Sequence, residues 1–286
     1  MSSKKMLALY GLKWNPFSQD IPLEAIHVTP AINSFCYRVE NLVMEGGFAL
    51  LTGDSGTGKS VTLRMLDSRL SEIREISSGV ITRPQSNVID FYREISAIFS
   101  IDLRSGNRWG SYKALREKWL SQIKTTLFRP VLIIDEAQEM EIKVLSELRF
   151  LTSSRFDSYN LMSIVLCGDN RLLDKLKHPD LIPLGTRMKA RHMMEPVSKD
   201  DLKELLSEII RKAGNQSLMT PGLINTLAEH SLGNYRVMMT MADTLLYAAM
   251  DKELKQLDEK LYLDFYHQGP PAKSKGKRTY REKSVQ

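Results

Sequence analysis

Four short apolar runs punctuate the first two-thirds of the chain: FALLTG (48–53), GVITR (79–83), PVLIIDE (130–136) and MSIVLCGD (162–169). Their apolar residues are nearly continuous, which predicts strands buried on both faces, because a half-exposed strand would alternate. Between them, SNVIDFYREISAIFS (86–100) and SYKALREKWLSQIKTTLF (111–128) space their apolar residues three and four apart, the signature of an amphipathic helix. Strand and helix therefore alternate, and the fold class that follows is α/β, a parallel sheet flanked by helices.

After RHMMEPVS (191–198) the strand-like runs stop. SKDDLKELLSEIIRKAG (198–214) opens with a capping serine at Ser198, places Asp201 in the first turn and closes at Gly214. TPGLINTLAEHS, YRVMMTMADTLLYAAM and KELKQLDEKLYLDFY supply two or three further helices. A boundary near residue 196 separates an α/β core, 46–196, from a small all-helical domain, 197–267. An N-terminal segment, 1–45, precedes the core, and no internal repeat of 20–50 residues is visible.

Composition narrows the class. The chain is 286 residues long with a hydrophobic fraction of 42%, that of an ordinary globular protein, and no apolar run reaches membrane-spanning length. The N-terminus lacks the pattern of a secretory leader. Cys36 and Cys167 sit in apolar surroundings without a CxxC pair, so a disulfide framework is not expected and a reducing cytoplasm is. The histidines show no metal-ligand spacing.

The formal charge of +6 looks like a nucleic-acid signal until it is located. The tail QGPPAKSKGKRTYREKSVQ (268–286) holds six Lys/Arg and one Glu, leaving about +1 for everything before it. The tail reads as basic and disordered, either a solvated end or an arm for DNA or a partner. Any nucleic-acid face on the folded part must be a local patch.

The chemistry lies in the turn after the first apolar run. Gly53-Asp54-Ser55-Gly56-Thr57-Gly58-Lys59-Ser60 fits GxxxxGK[ST] between a predicted strand and a predicted helix, with Val61 following. Glycines let the backbone curl so that successive N–H groups face an anion, and the helix N-terminus adds partial positive charge. Lys59 would reach the β- and γ-phosphates and Ser60 would ligate Mg²⁺. About 75 residues later an apolar strand ends in Asp135-Glu136. Asp135 would complete the Mg²⁺ shell, and Glu136 would orient the attacking water as general base. Together the two motifs predict an NTP hydrolase.

At this point the sequence resembles AAA+ ATPases of the ExeA/TniB/TnsC group over roughly residues 8–250. LYGLKWNPF is similar to the family's opening segment, IIDEAQ followed by LSELRFLTS to its DEAQ strand and next helix, VLCGDNRLLDKL to the strand carrying sensor I, and EHSLGNYRVMMTMADTLLYAA to its sensor II helix. The resemblance implies the AAA+ P-loop fold with a helical lid, and ATP with Mg²⁺ as cofactors. It also implies that segment 1–45 packs near the nucleotide site. It makes Asp169 the sensor I residue, with Asn170 the next candidate and a plain helix-capping aspartate the alternative. It makes Arg187, with Arg191 as alternative, an arginine finger reaching a neighbour's γ-phosphate, hence a homo-oligomer, ring or filament. It makes Arg236 the sensor II arginine. The adenine pocket falls by family position near Ile26 and Val28, which by composition read as core.

Within the resemblance two uses compete. ExeA-like members carry a membrane span and a cell-wall-binding region, which this sequence does not show. The implied reading is a transposition helper, assembling on duplex DNA with ATP and recruiting a transposase, with a target-selection protein as a further partner. A helicase-loader ATPase and a slow nucleotide-gated scaffold are the other classes. Candidate DNA contacts are Arg83 and Asn87 in ITRPQSN, and Arg104, Arg108 and Lys113 in LRSGNRWGSYK, where Trp109 and Tyr112 interleave. The second cluster reads equally as an exposed linker between two helices.

Overall fold

The computed structural model of the protein describes residues 2–84, 87–102, 107–154 and 158–266. In chain order the elements are α1 (Ser2–Tyr10), α2 (Pro30–Glu45), β1 (Gly47–Gly53), α3 (Lys59–Ser71), β2 (Ile76–Ile81), α4 (Val88–Ile98), α5 (Arg108–Thr125), β3 (Arg129–Ile134) and α6 (Ile142–Thr152). A two-residue ribbon of β4 (Ser153–Ser154) and β5 (Tyr159–Asn160) follows, then β6 (Ser163–Gly168), α7 (Asn170–Leu176), α8 (Ile182–Gly185) and β7 (Met188–Met194). Helices α9 (Lys199–Ala213), α10 (Pro221–His230), α11 (Tyr235–Asp251) and α12 (Glu259–Tyr266) complete the chain.

The main sheet runs β2-β3-β6-β1-β7 with every pairing parallel. Its central strands explain the continuous apolar runs. Phe48 and Leu50 of β1, Leu132 and Ile134 of β3, and Ile164 and Leu166 of β6 pack under α4–α7. Their neighbours Ala49, Leu51, Val131, Ile133, Val165 and Cys167 pack on the other face under α2 and α3. Each strand thus feeds two cores, and its buried polar residues, Thr52 of β1 and Ser163 of β6, lie toward the strand ends.

The β2 strand departs from its expected start. It begins at Ile76 rather than Gly79. As an edge strand it tolerates Ser77 and Ser78, and Ser78 donates to Asp67 Oδ1 at 2.9 Å, so the polar half of the strand is satisfied without apolar residues. Similarly, the helix expected over 252–266 forms only from Glu259, because α11 ends at a left-handed Glu253 (φ 53°) and Met219 bridges Leu257 in between.

The helical region has a core of its own, and the N-terminal segment belongs to it. Met6, Tyr10, Leu12, Phe17, Ile21, Ala25 and Ile26 are buried with Leu202, Leu206, Met238 and Leu245 from α9 and α11. Main-chain and side-chain bonds fix the same union: Lys13 N–H donates to Ala213 O (2.8 Å), Asn215 Nδ2 to Tyr10 O (2.8 Å) and Asn15 Nδ2 to Asp243 Oδ1 (2.8 Å). The segment 1–45 therefore divides, its first part joining the helices and α2 joining the sheet. Among the described residues no helix is long and apolar enough to cross a membrane.

Candidate nucleotide site

Parallel strands place all their C-terminal ends on one edge of the sheet, and the conserved chemistry of such folds gathers there. Here that edge carries the turn after β1, the Asp135-Glu136 pair after β3 and the junction after β6. Gly56 and Gly58 adopt left-handed backbone (φ 84° and 101°), which curls the 53–60 loop before α3 begins at Lys59. Lys59 is buried, its Nζ donating to Gly53 O (2.8 Å) and Asp54 O (2.9 Å), and Thr57 Oγ1 donates to Asp54 O (2.8 Å). The loop is thus preformed around its own lysine.

The residues expected to hold a cation are brought together. Ser60 Oγ donates to Asp135 Oδ2 at 3.2 Å, across 75 residues of sequence. Beneath them Cys167 has its thiol pushed far above the usual range, first by burial and then by the Asp135 charge. Glu136 sits on left-handed backbone (φ 52°, ψ 37°), uncommon for a non-glycine residue, and its N–H donates to Asp135 Oδ1 at 2.9 Å. The Glu136 carboxylate accepts a hydrogen bond from the Gln138 side-chain amide.

The β6–α7 junction separates two adjacent candidates. Asp169 caps α7: its Oδ1 accepts from Arg171 N (2.9 Å) and its Oδ2 from Arg171 Nε (2.9 Å). Asn170, not Asp169, reaches the loop, with Nδ2 donating to Asp54 Oδ1 at 2.8 Å. The physical reason is that an aspartate ending a strand satisfies the first free N–H groups of the helix that follows.

The helical region closes on the loop from above. Arg236 Nη1 donates to Ser55 Oγ (3.0 Å), Arg236 N–H to Gly56 O (3.3 Å) and Asn234 Nδ2 to Ser55 O (2.9 Å). A Cβ on Gly56 would lie 2.1 Å from Asn234 Oδ1, so only glycine admits this approach. Asn234 also caps α11 through Val237 N–H (3.1 Å). Sequence reasoning quoted GNYR but overlooked Asn234; an asparagine at a helix start was the available signal.

Beside the loop opens a cavity of about 750 Å³, lined by Ile21, Ile26, Val28, Val61, Tyr235 and the acids Asp201 and Glu204, among others. Its size and mixed lining suit a nucleoside, and its mouth meets the phosphate loop at Thr57 and Gly58. Ile26 is buried yet faces this cavity, while Val28 is 39% exposed and is not core as expected. Val61 lines the same cavity. Burial raises the Tyr235 hydroxyl well above its ordinary pKa, so it stays a neutral donor. At the rim His27 Nδ1 lies 2.5 Å from Glu208 Oε2.

Arg187 stands apart. Strand β7 pairs with β1 so that Met188 faces Phe48 and Met194 faces Gly53. Arg187, just before Met188, is therefore at the opposite edge of the sheet, roughly 20 Å from its own phosphate loop at about 3.3 Å per residue. It cannot serve its own site. Arg191 donates to Gly185 O (2.5 Å) and Met188 O (3.3 Å), which anchors it locally.

The expected DNA contacts are scattered. Arg83 is exposed after β2. Asn87 caps α4, accepting from Ile89 N–H (2.9 Å) and Asp90 N–H (3.1 Å) while donating to Asp90 Oδ2 (2.8 Å), which occupies its polar groups. Residues 107–113 are neither loop nor linker but the start of α5, with Asn107 as its cap. Arg108 binds Glu147 Oε1 at 2.6 Å, and Lys113 pairs with Glu117 at 3.7 Å. Arg104 and the basic tail lie outside the described residues.

Comparison with known proteins agrees with this geometry. Residues 43–176 match the family model described as AAA domain. Over 207 residues, 71% of this chain, the sequence is 32% identical to general secretion pathway protein A of Aeromonas hydrophila. That alignment covers 37% of the relative, so the chain spans little more than a third of its length. Among solved structures, Cdc6p from Pyrobaculum aerophilum superposes with a TM-score of 0.68 at 18% identity, over 85% of this chain and 67% of that one. The Drosophila ORC structure gives 0.63 at 13% identity over 92% and 65%. Domain III of the Thermotoga maritima DnaA protein gives 0.56 at 16% identity over 87% and 97%. At such identities these likenesses speak to fold alone. The chain therefore carries an AAA domain on the AAA+ P-loop fold, with a nucleotide site at the sheet edge and homology to general secretion pathway protein A across the shared stretch.

Proposed function

We propose that this chain is a Mg²⁺-dependent ATPase that uses bound nucleotide to assemble with copies of itself, and hydrolysis to release them. The observation that carries this reading is the seat of α11 on the phosphate loop: Asn234 and Arg236 bind Ser55 and Gly56 directly, so what fills the loop is felt by the helical region. The residues present suit ATP. Gly53 to Ser60 form the anion cradle, Lys59 offers an ammonium, Ser60 and Asp135 a pair of hard oxygens for Mg²⁺, and the adjoining cavity a lined space for the base. When bound, Mg-ATP supplies an electrophilic γ-phosphorus.

In this reading Glu136 orients water and takes its proton, and Arg236 holds the helical region against the phosphates. Asn170, better placed than Asp169, watches the loop from the β6 junction. Arg187 acts on a neighbour's site, because it stands a strand length from its own. The finer reading is a transposition helper working in the cytoplasm: assembly on duplex DNA, recruitment of a transposase and regulation by a target-selection protein. It is supported by the family resemblance and by likeness in fold to an ORC that was solved bound to DNA. A secretion-associated role is the second reading, favoured by the 32% identity to general secretion pathway protein A.

Two measurements test these levels separately. Arg187→Ala should bind nucleotide as tightly as the parent yet lose turnover, and mixing it with Lys59→Ala chains should restore part of the activity. Full turnover by Arg187→Ala alone would sink the shared site. Labelled duplex DNA should bind with a non-hydrolysable ATP analogue but not with ADP at 100 mM salt; equal failure in both states would remove DNA and favour the secretion role.

A further inference from the structure

From the network around Gln138 we infer that this side chain is the positioning residue for Glu136, tying the general base to the β6–α7 junction that touches the phosphate loop. The inference rests on the ATPase reading given above. Gln138 lies in the turn after β3 and is only 4% exposed, although its side chain carries an acceptor oxygen and a donor nitrogen. Its Oε1 accepts from Asp169 N–H at 3.2 Å. A main-chain N–H can only donate, so the amide orientation is fixed and Nε2 must point the other way. That Nε2 donates to the Glu136 carboxylate. Gly168 admits the arrangement, since a Cβ there would lie 2.5 Å from Gln138 Oε1.

The turn itself is clamped to α7. Lys175 Nζ donates to Gln138 O (2.5 Å) and Met140 O (2.8 Å), and Arg171 bridges Glu139 and Asp169 at 2.8 Å each. Asp169 N–H, which orients Gln138, belongs to the residue just before Asn170, whose side chain holds Asp54 of the phosphate loop. A continuous chain thus runs Asp54–Asn170–Asp169 N–H–Gln138–Glu136. A shift of the loop at one end must move the carboxylate at the other or break one of these hydrogen bonds. Gln138 does not meet the reacting atoms. It leaves one Glu136 oxygen for water while holding the other.

The alternative is that Gln138 merely fills space between the turn and β6. Two variants separate these roles in the full chain. Gln138→Glu keeps the shape and the acceptor for Asp169 N–H but removes the donor to Glu136; Gln138→Met keeps the bulk and removes both bonds. Single-turnover and steady-state hydrolysis, ATP-analogue affinity and melting temperature are measured for each, alone and combined with Glu136→Gln. Both variants should lose roughly 10- to 100-fold in kcat, the scale of a misplaced catalytic group. Analogue affinity should stay within about threefold, and neither variant should slow the Glu136→Gln chain further. Parental kcat in Gln138→Glu, or losses that multiply with Glu136→Gln, would overturn the inference while leaving the ATPase reading intact. A parent that binds ATP and never hydrolyses it would overturn both, since there would be no base to position.

Discussion

The phosphate loop is a spaced motif and the start of α5 a compositional cluster, and the structure treats them in opposite ways. Both are short and contain glycine. In the loop, the atoms that do the work are main-chain groups and the side chains of adjacent residues, so a spacing of eight residues already specifies the geometry. In α5 the arginines have distant partners, whereas Lys113 pairs with nearby Glu117. Arg108 is claimed by Glu147, which is 6% exposed and also accepts from Tyr92 OH at 2.8 Å. Arg116 donates to Ser153 O (2.5 Å), Leu151 O (3.2 Å) and Phe150 O (2.9 Å), and Trp109 stacks on Tyr112 at 5.5 Å. A linear motif fixes function when its contacts are local; a compositional cluster does not when its contacts are remote.

The largest expected effect breaks the loop. Lys59→Ala should weaken nucleotide binding by at least about 100-fold, and DNA binding with it, measured by fluorescence titration with an ATP analogue. Next comes the α5 cluster. Glu147→Met leaves the buried Tyr92 hydroxyl unpaired, at a cost of about 2 kcal/mol in urea denaturation. Burial, then the bond to Glu147, already hold that hydroxyl far above its ordinary pKa. Arg108→Met, half exposed, should cost about 1 kcal/mol or less and leave DNA affinity unchanged. A drop in DNA affinity without a drop in stability would return α5 to the nucleic-acid surface.

The smallest effect concerns the latch beside the cavity. Hydrogen bonds from His27 and then Lys212 hold the Glu208 carboxyl below the usual glutamate range. A depressed carboxylate pKa contributes stability that is present above the unfolded value and is lost as pH falls through the folded one. Stability should therefore decline as pH drops below about 4.5, and Glu208→Gln should flatten that decline by a fraction of a kcal/mol, given a side chain that is 26% exposed. An unchanged acid limb would mean the contact contributes nothing to folding.

Much of this was legible beforehand. The parallel sheet followed from apolar runs that serve two cores, and Ser60 and Asp135 were paired before their 3.2 Å contact was seen. Asp169 and Asn170 were not separable, because both are polar, both follow β6, and only the direction of each side chain decides between a helix cap and the loop. Gln138 was quoted within DEAQ without a role, since its partner at Asp169 lies 31 residues away.

By itself, then, the sequence determined the fold class and the phosphate cradle, because burial forces apolarity along a two-sided strand and because the cradle is built from neighbouring backbone groups. Only the tertiary structure decided that Met6 to Ile26 share a core with the helical region, that Asn234 and Arg236 rest on Ser55 and Gly56, that Arg187 stands at the far edge of the sheet and that Arg108 pairs with Glu147. Those facts depend on which surfaces meet, and contacts between residues 39 to 228 apart leave no periodic trace in the chain.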